Sequence, residues 1–568
     1  MSAPIVQPAK LSLARKFSRL SERMRDPNWR RFGRNLLLGK LLGLALLPVA
    51  IVALQFATKL FTVGVAYAEG AAAAPSIPVM AADLIDQAKN PVINPINTMW
   101  VLLGAFLVFG MQAGFTMLEA GMCRNRETVN VLVECVFDTC VCGLLHWAFG
   151  FAFMFGGGNA FIGWHMPGDP TKSLIFMKDV GVLSVYGATG IPIVAHYIFQ
   201  FAFADCASTI CSGAMVGRTR FIGDVIYSIG VSGLIYPIFG HWCWGPDGFL
   251  ATMGSEGGFL ASLGMNFHDF AGSTVVHSIG GWVAIAGAIC LGPRLGRKFK
   301  RDGGGPMLPH DLTIAVIGGL ILWFGWYGFN PCSTLSIMDN AGAGRVAMNT
   351  TLAACTGGLA AEFMVYFMVK KWDTAALVNG FLAGLVAITC PCYWVSDVGA
   401  CILGAVAGVL VILGMELLEH LRIDDPVGAW PVHGVCGIWG TVSLGLFASG
   451  QYSAAGSSPT GVPDIIAKSP QALTGLFYGG GTAVLKAQCI GSVIVCAATF
   501  ASAMAMFKVL NVFSLLRVSK AGEVDGLDLD QHGGSAYPEY VISTLTAGHA
   551  VGHDHVGGGL DVAEASAE

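Results

Sequence analysis

Asp269-Phe-Ala-Gly-Ser-Thr-Val-Val-His277 and Asp425-Pro-Val-Gly-Ala-Trp-Pro-Val-His433 decide the fold. Each opens an apolar run with an Asp and carries a His eight residues further on. On an α-helix eight residues rise ~12 Å, against a hydrocarbon core ~30 Å thick. A histidine reached that way from either surface lies near mid-membrane, where ionisable side chains are costly and mark function. Helices entering from opposite faces would bring the two imidazoles together.

Composition agrees with a membrane protein. The 568 residues are 54% hydrophobic and 12% charged, with mean hydropathy +0.64, whereas soluble domains carry roughly 25% charged residues. A net charge of −4 points to no nucleic-acid partner. Most of the sixteen cysteines sit inside apolar runs, where a thiol behaves as a small buried hydrophobe. Cys140/Cys142 and Cys390/Cys392 are close pairs, but neither has a second pair of ligands nearby to complete a metal site. No cofactor is expected.

Residues 1–68 read as a long leader. Arg15, Lys16, Arg19, Arg23, Arg25, Arg30, Arg31, Arg34 and Lys40 precede an apolar run over 41–65 and an Ala66-Tyr67-Ala68 site. That order resembles a secretory signal peptide, with an uncleaved anchor as the alternative. Either route leaves 69–96 outside the cytoplasm.

Eleven apolar runs follow within 97–514, near 98–121, 129–155, 191–216, 221–244, 270–292, 312–331, 346–369, 375–394, 398–419, 430–449 and 485–513. Each is long enough for a transmembrane helix. Every second connection is basic: Arg124 and Arg126; Arg218 and Arg220; Arg294, Arg297, Lys298, Lys300 and Arg301; Lys370 and Lys371; Arg422; Arg517 and Lys520. Positive-inside bias therefore starts the body outside and ends it in the cytoplasm. The Asp269/His277 run is the fifth and the Asp425/His433 run the tenth, with opposite directions. An all-α membrane protein follows, with an inverted five-helix repeat (1–5 against 6–10) and its site at the repeat interface. Pairs such as Gly280-Gly281, Gly318-Gly319 and Gly357-Gly358 let helix backbones approach closely.

Asp269 and Asp425 can serve as helix caps, Pro426 standing at a favoured first-turn position, and their charge can also favour a cation near a pore mouth. His277 and His433, matched in two inverted halves, read as pore residues. His146, His196, His241, His268, His310 and His420 fall near span ends, where an interfacial His is ordinary. Phe199-Gln200-Phe201-Ala202-Phe203, Trp242-Cys243-Trp244 and Trp326-Tyr327-Gly328-Phe329-Asn330-Pro331-Cys332-Ser333 add aromatics that composition alone assigns to packing and interfacial anchoring.

Asp269 to His277, Phe324-Gly-Trp-Tyr-Gly-Phe-Asn-Pro331, Asp424-Asp-Pro426 with Val432-His-Gly-Val-Cys-Gly437, and Gly526-Leu-Asp-Leu-Asp530 with Ser535-Ala-Tyr-Pro538 together carry a specific resemblance. The chain resembles the Amt/Mep/Rh ammonium transporters over nearly all of 97–540. The resemblance implies an outer recruitment site of Trp244, Phe203 and Ser333, a gate of stacked Phe203 and Phe329, and twin pore histidines His277 and His433. It also implies a role for Asp269 in ammonium binding and pore integrity, with Asp425 structural. It implies a non-enzymatic transporter of ammonium, with methylammonium a further substrate, in the inner (cytoplasmic) membrane. A homotrimer and a tail (515–568) coupled to PII-type signalling proteins are implied as well. Cys332 departs from the usual Gly, and the 246–268 connection is longer than in the shortest members. An ammonium sensor of the same fold, signalling through a partner, is the alternative. A metalloenzyme built on the two histidines lacks further ligands at matching depth. The acidic segment 526–538 is expected to reach the basic loop containing Arg294 and Arg301. His549, His553 and His555 read as part of a disordered end.

Overall fold

In a bilayer no water meets the backbone polar groups, so apolar runs close their own hydrogen bonds as helices. The computed structural model describes residues 92–538 apart from 182–183, 187–189, 339 and 452–472, with only the backbone at 340 and 341. The leader, most of 69–96 and the terminal histidines lie outside the described residues.

Within them the apolar runs form α1 (Ile93–Met122), α2 (Asn125–Phe155), α3 (Ile193–Gly213), α4 (Phe221–Trp244), α5 (Ser273–Leu291), α6 (Leu312–Phe329), α7 (Asn340–Val369), α8 (Thr374–Thr389), α9 (Asp397–Leu421), α10 (Trp430–Val435 and Cys436–Phe447) and α11 (Ala483–Val512). Nine are long and apolar enough to cross a membrane; α8 and α10 are shorter or less apolar. The bundle is apolar outside as well as inside. Met99, Leu103, Phe106 and Phe109 are exposed along one face of α1, while Asn97 and Glu119 are buried behind them. A surface of that kind suits lipid rather than water.

The packing repeats. α1 lies along α6; α1 meets α3 as α6 meets α8; α2 meets α3 and α4 as α7 meets α8 and α9; α3 meets α5 as α8 meets α10; and α5 crosses α10. This is the two-half arrangement expected from the paired motifs. One feature the sequence pattern hides is β-structure between α2 and α3. There β1 (Gly157–Gly158), β2 (Gly163–Met166) and β3 (Asp169–Ser173) form an antiparallel sheet, and β4 (Val185–Tyr186) pairs with β5 (Ile191–Pro192). The connection is polar and glycine-rich, so no period-two apolar pattern announced it.

Arg124, Arg218, Arg294, Arg422 and Arg517 gather at one end of the bundle, the basic end. There α12 (Lys520–Asp525) and α13 (Leu527–His532) fold back. Glu523 reaches the basic loop, accepting from the Leu295 N–H and pairing with Arg517 at 2.8 Å. The segment after Gly526 lies elsewhere: Asp528 accepts from the Asn130 N–H at 3.0 Å, Gln531 from the Phe221 N–H at 3.1 Å, and Tyr537 meets His310 at 3.2 Å. The expected contact of 526–538 with Arg294 and Arg301 is therefore corrected within this chain. Arg294 and Arg297 are already engaged by Asp424 and Glu419, and the free N–H groups opening α2 and α4 attract the acidic segment instead.

Candidate functional site

Asp269 organises the first half of the site. Its Oδ1 accepts from the N–H groups of Gly272 and Ser273 at 3.0 Å, and its Oδ2 from Thr274 and Val275 at 2.9 Å. A carboxylate has about four lone-pair directions, and here all are engaged. Asp425 repeats the arrangement, accepting from Gly428 and Ala429 at 3.0 Å and from Trp430 at 2.9 Å. In both halves the third residue after the Asp is a glycine with positive φ, 116° at Gly272 and 83° at Gly428. Other residues are strained there, so glycine sets the turn.

Each half then enters a π-helical turn, Ser273–Ser278 and Trp430–Val435, that carries the histidine. The interval from Asp to His is thus a turn followed by a wide helical turn, and the straight α-helical rise does not describe it. Such π-turns recur at functional sites.

α5 and α10 then cross with little between them: a Cβ on Gly281 would overlap the backbone of Gly434. Gly434 follows His433 directly, so this approach brings the imidazoles together. The two Nδ1 atoms are 3.2 Å apart, with ring centroids 5.2 Å apart at 30°. Only one Nδ1 can donate in that contact while the other accepts, so the pair shares a single proton there. His277 is fully buried, and its Nε2 has no protein partner.

A file of rings leads to this pair. Trp244 meets Phe203 edge-on at 6.4 Å, Phe203 stacks on Phe329 at 3.9 Å, and Phe329 stacks on His277 at 5.4 Å. Trp326 flanks His277 at 5.1 Å and is fixed by its indole N–H donating to Thr389 at 2.8 Å. The Trp244 indole N–H donates to the Asp269 carbonyl at 2.7 Å, tying the first ring to the cap. Ser333 donates to the Phe329 carbonyl at 2.7 Å, which leaves its lone pairs to accept. Beyond His433 a cavity lined by Phe115, Glu119 and Asn379 opens toward the basic end.

The structure thus joins Trp244, Phe203, Phe329, Asp269, His277 and His433 into one connected file, with Ser333 attached through Phe329. Cys332 turns the other way: Gly104 of α1 makes room for it, since a Cβ there would overlap the Cys332 side chain. His146, His196, His241 and His268 differ from the interfacial expectation, being 0–2% exposed. Phe115 had no distinguishing signal in the sequence, whereas Trp326 stood in a quoted aromatic motif with no role of its own assigned. The two glycines did, standing at the same place in both quoted motifs.

Asp424, adjacent to the second cap, locks the basic end. It accepts from the Arg294 Nε at 2.8 Å, Nη2 at 3.0 Å and backbone N–H at 2.9 Å, and Arg218 donates to its carbonyl at 2.6 Å. Burial pushes the Asp424 carboxyl up, but the hydrogen bonds and charges of Arg294 and Arg218 outweigh it and hold the group well below the usual carboxylate range.

Two inverted helical halves, meeting at buried imidazoles behind a stack of aromatic rings, define a multi-pass membrane protein of the transporter class. The sequence profile of the Ammonium Transporter Family matches residues 99–537, and the chain belongs to that family. It is 39% identical over 462 residues to the ammonium transporter Amt2 of Archaeoglobus fulgidus, covering 80% of this chain and 91% of that one. It is 37% identical over 435 residues to ammonium transporter 1 member 1 of Arabidopsis thaliana, covering 74% and 81%. Among solved structures it resembles a sensor Amt protein, with TM-score 0.65 and 33% identity over 78% of this chain and 99% of that one. Ammonium transport is the function these findings support.

Proposed function

We propose that ammonium travels along the file of rings between the two halves and gives up its proton before the paired histidines. The 3.2 Å contact of the buried Nδ1 atoms, at the end of the aromatic stack, carries this reading. Trp244 and Phe203 attract the cation through their ring faces, worth ~0.5–2 kcal/mol each depending on desolvation, and Ser333 accepts one of its hydrogen bonds. Asp269 acts through position, its oxygens being engaged by backbone N–H groups. Stacked Phe203 and Phe329 form the gate. Taking an ion into low dielectric costs of order 20 kcal/mol before compensation. Ammonia escapes that cost, and imidazoles can accept and relay the released proton. Potassium has no proton to release and is refused.

The chain is read as non-enzymatic, with eleven spans and the basic end facing the cytoplasm of a cell whose inner membrane holds it. Residues 1–68 act as a leader and 69–96 lie outside, followed by the transmembrane domain (97–514) and the cytoplasmic tail (515–568). It works as a homotrimer, takes methylammonium as well, and offers the tail to a PII-type protein. Likeness to a sensor Amt protein favours one second reading, an ammonium sensor signalling through a partner. Uptake by the purified protein in liposomes, ammonium against potassium, tests both: ammonium flux without potassium flux supports the transporter, and no flux of either supports the sensor.

A further inference from the structure

A second buried polar stripe runs through the helices beside the ring file. On α2, Asn130, Glu134, Asp138, Cys142 and His146 recur every four residues, each 0–2% exposed. Sixteen residues of helix rise ~24 Å, most of a ~30 Å hydrocarbon core. On α4, Asp224, Ser228, Ser232 and Tyr236 recur at the same interval, with Tyr227 beside them, all 0–1% exposed. On α3, His196, Gln200, Asp205 and Ser208 are buried too. Asp205 is two residues from Phe203, ~200° around the helix at 3.6 residues per turn, so it faces away from the gate.

The stripes meet rung by rung. Asp224 lies within electrostatic reach of Glu134, Ser228 donates to Asp138, Asp205 lies within reach of Asp138, and Ser232 lies beside Cys142. His146 and His196 close the far end among Phe151, Phe155 and Tyr186, with His196 and Tyr186 rings 4.3 Å apart. Around Glu134 and Asp138 the interacting charged groups are the carboxyls of Glu119, Asp205 and Asp224; Tyr227 and the thiols Cys135, Cys142 and Cys211 are the other titratable neighbours. Among the described residues no basic side chain acts on Glu134 or Asp138. The second oxygen of Asp138, both ring nitrogens of His146 and the hydroxyls of Ser208 and Tyr236 have no protein partner, while Asp205 lies beside Gln112 and Thr139, Asp224 beside Tyr227 and Ser232 beside Cys142 without a close hydrogen bond. Buried polar atoms find protein or water, and a water bridging these donors and acceptors would have the two to four polar partners it needs. Among the described residues no three His, Cys, Asp or Glu side chains are arranged to hold a metal ion.

We propose that α2, α3 and α4 enclose a proton-conducting file of water and side chains, separate from the ring file and from the paired histidines. In each step a carboxyl gives its proton to the next water and takes one from the water behind it, so no group is consumed. The C-terminal segment closes the mouth at the basic end: Asp528 accepts from the Asn130 N–H and His532 donates to the Asn130 side-chain oxygen at 2.9 Å.

The test uses the full-length protein in phosphatidylcholine vesicles with an internal pH dye, a potassium diffusion potential and no ammonium. Asp528→Ala with His532→Ala should raise proton entry severalfold over the unaltered protein. Adding Asp138→Asn and Asp205→Asn should return it to the level of protein-free vesicles, whereas adding His433→Ala should not. Ammonium uptake retained by the Asp138/Asp205 variant shows that it is folded; Ser232→Ala with Tyr236→Phe gives a second, milder interruption. An uncapped protein no more permeable to protons than bare lipid overturns the proposal. So does proton entry that survives both interruptions, or that disappears with His433→Ala. Parent-level ammonium flux and unchanged selectivity in both single histidine variants would count against the ring-file account alone.

Discussion

Replacing Asp269 by Ala removes the acceptor of four backbone N–H groups at 2.9–3.0 Å from a site where Asp269 is 6% exposed. A buried donor left without a partner costs ~1–3 kcal/mol. If water reaches two of the four, the remaining two give a loss of about 2–6 kcal/mol, beyond the ~0.5–2 kcal/mol of an ordinary helix cap. Asp425→Ala frees three N–H groups and should cost less, by about 1–3 kcal/mol for the missing donor. Asp269→Asn keeps one oxygen able to accept two bonds and should fall between Asp269→Ala and the parent. Because the cap carries the turn with His277 and holds Trp244 through its carbonyl, uptake should fall with stability. Thermal unfolding of the purified protein, followed by tryptophan fluorescence, and labelled methylammonium uptake read the two effects. Asp269→Ala unfolding at the parent temperature with parent uptake would refute this view of the cap, as would Asp425→Ala being the worse of the two.

Trp244→Leu removes the first ring of the file and should weaken apparent affinity at low ammonium more than maximal flux; an effect confined to expression would make Trp244 an interfacial anchor. Asp424→Asn breaks a buried pair with Arg294, an expected loss of ~3–5 kcal/mol. The Asp424 carboxyl is held below its unfolded range, so its stabilisation is fully present above pH ~4 and disappears as the pH falls through the folded value; acid titration of unfolding in parent and variant should show that dependence only in the parent. Deletion from Gly526 onward should change transport rate while leaving selectivity intact, and deletion from Ala547 should change little; uptake by both truncated chains checks this.

The duplicated Asp and His of the two motifs carried the architecture, because opposite direction and equal spacing are visible without coordinates. Helix boundaries followed from apolar length, within a few residues. Conformation inside the motifs was less legible: an Asp and a His eight residues apart fit an α-helix as well as a left-handed glycine followed by a π-turn, and only the shared third-position glycine separates them. Phe115 joins the site through tertiary packing, which leaves no trace in a run of apolar residues; Trp326 stood in a quoted motif, but its place beside His277 could not be read there. His146 and His196 were misplaced for a related reason. Span ends read as interfacial, yet here the strands between α2 and α3 and the rings of Phe151, Phe155 and Tyr186 bury both imidazoles.

Selectivity of the single histidine variants tests the central claim most directly. His277→Ala and His433→Ala, purified and reconstituted with equal protein per vesicle, are compared with the parent for ammonium-driven and potassium-driven flux. If ammonium is deprotonated ahead of the imidazole pair, each variant loses ammonium flux or gains potassium flux. Parent-level ammonium flux with potassium still excluded, in both variants, would contradict it.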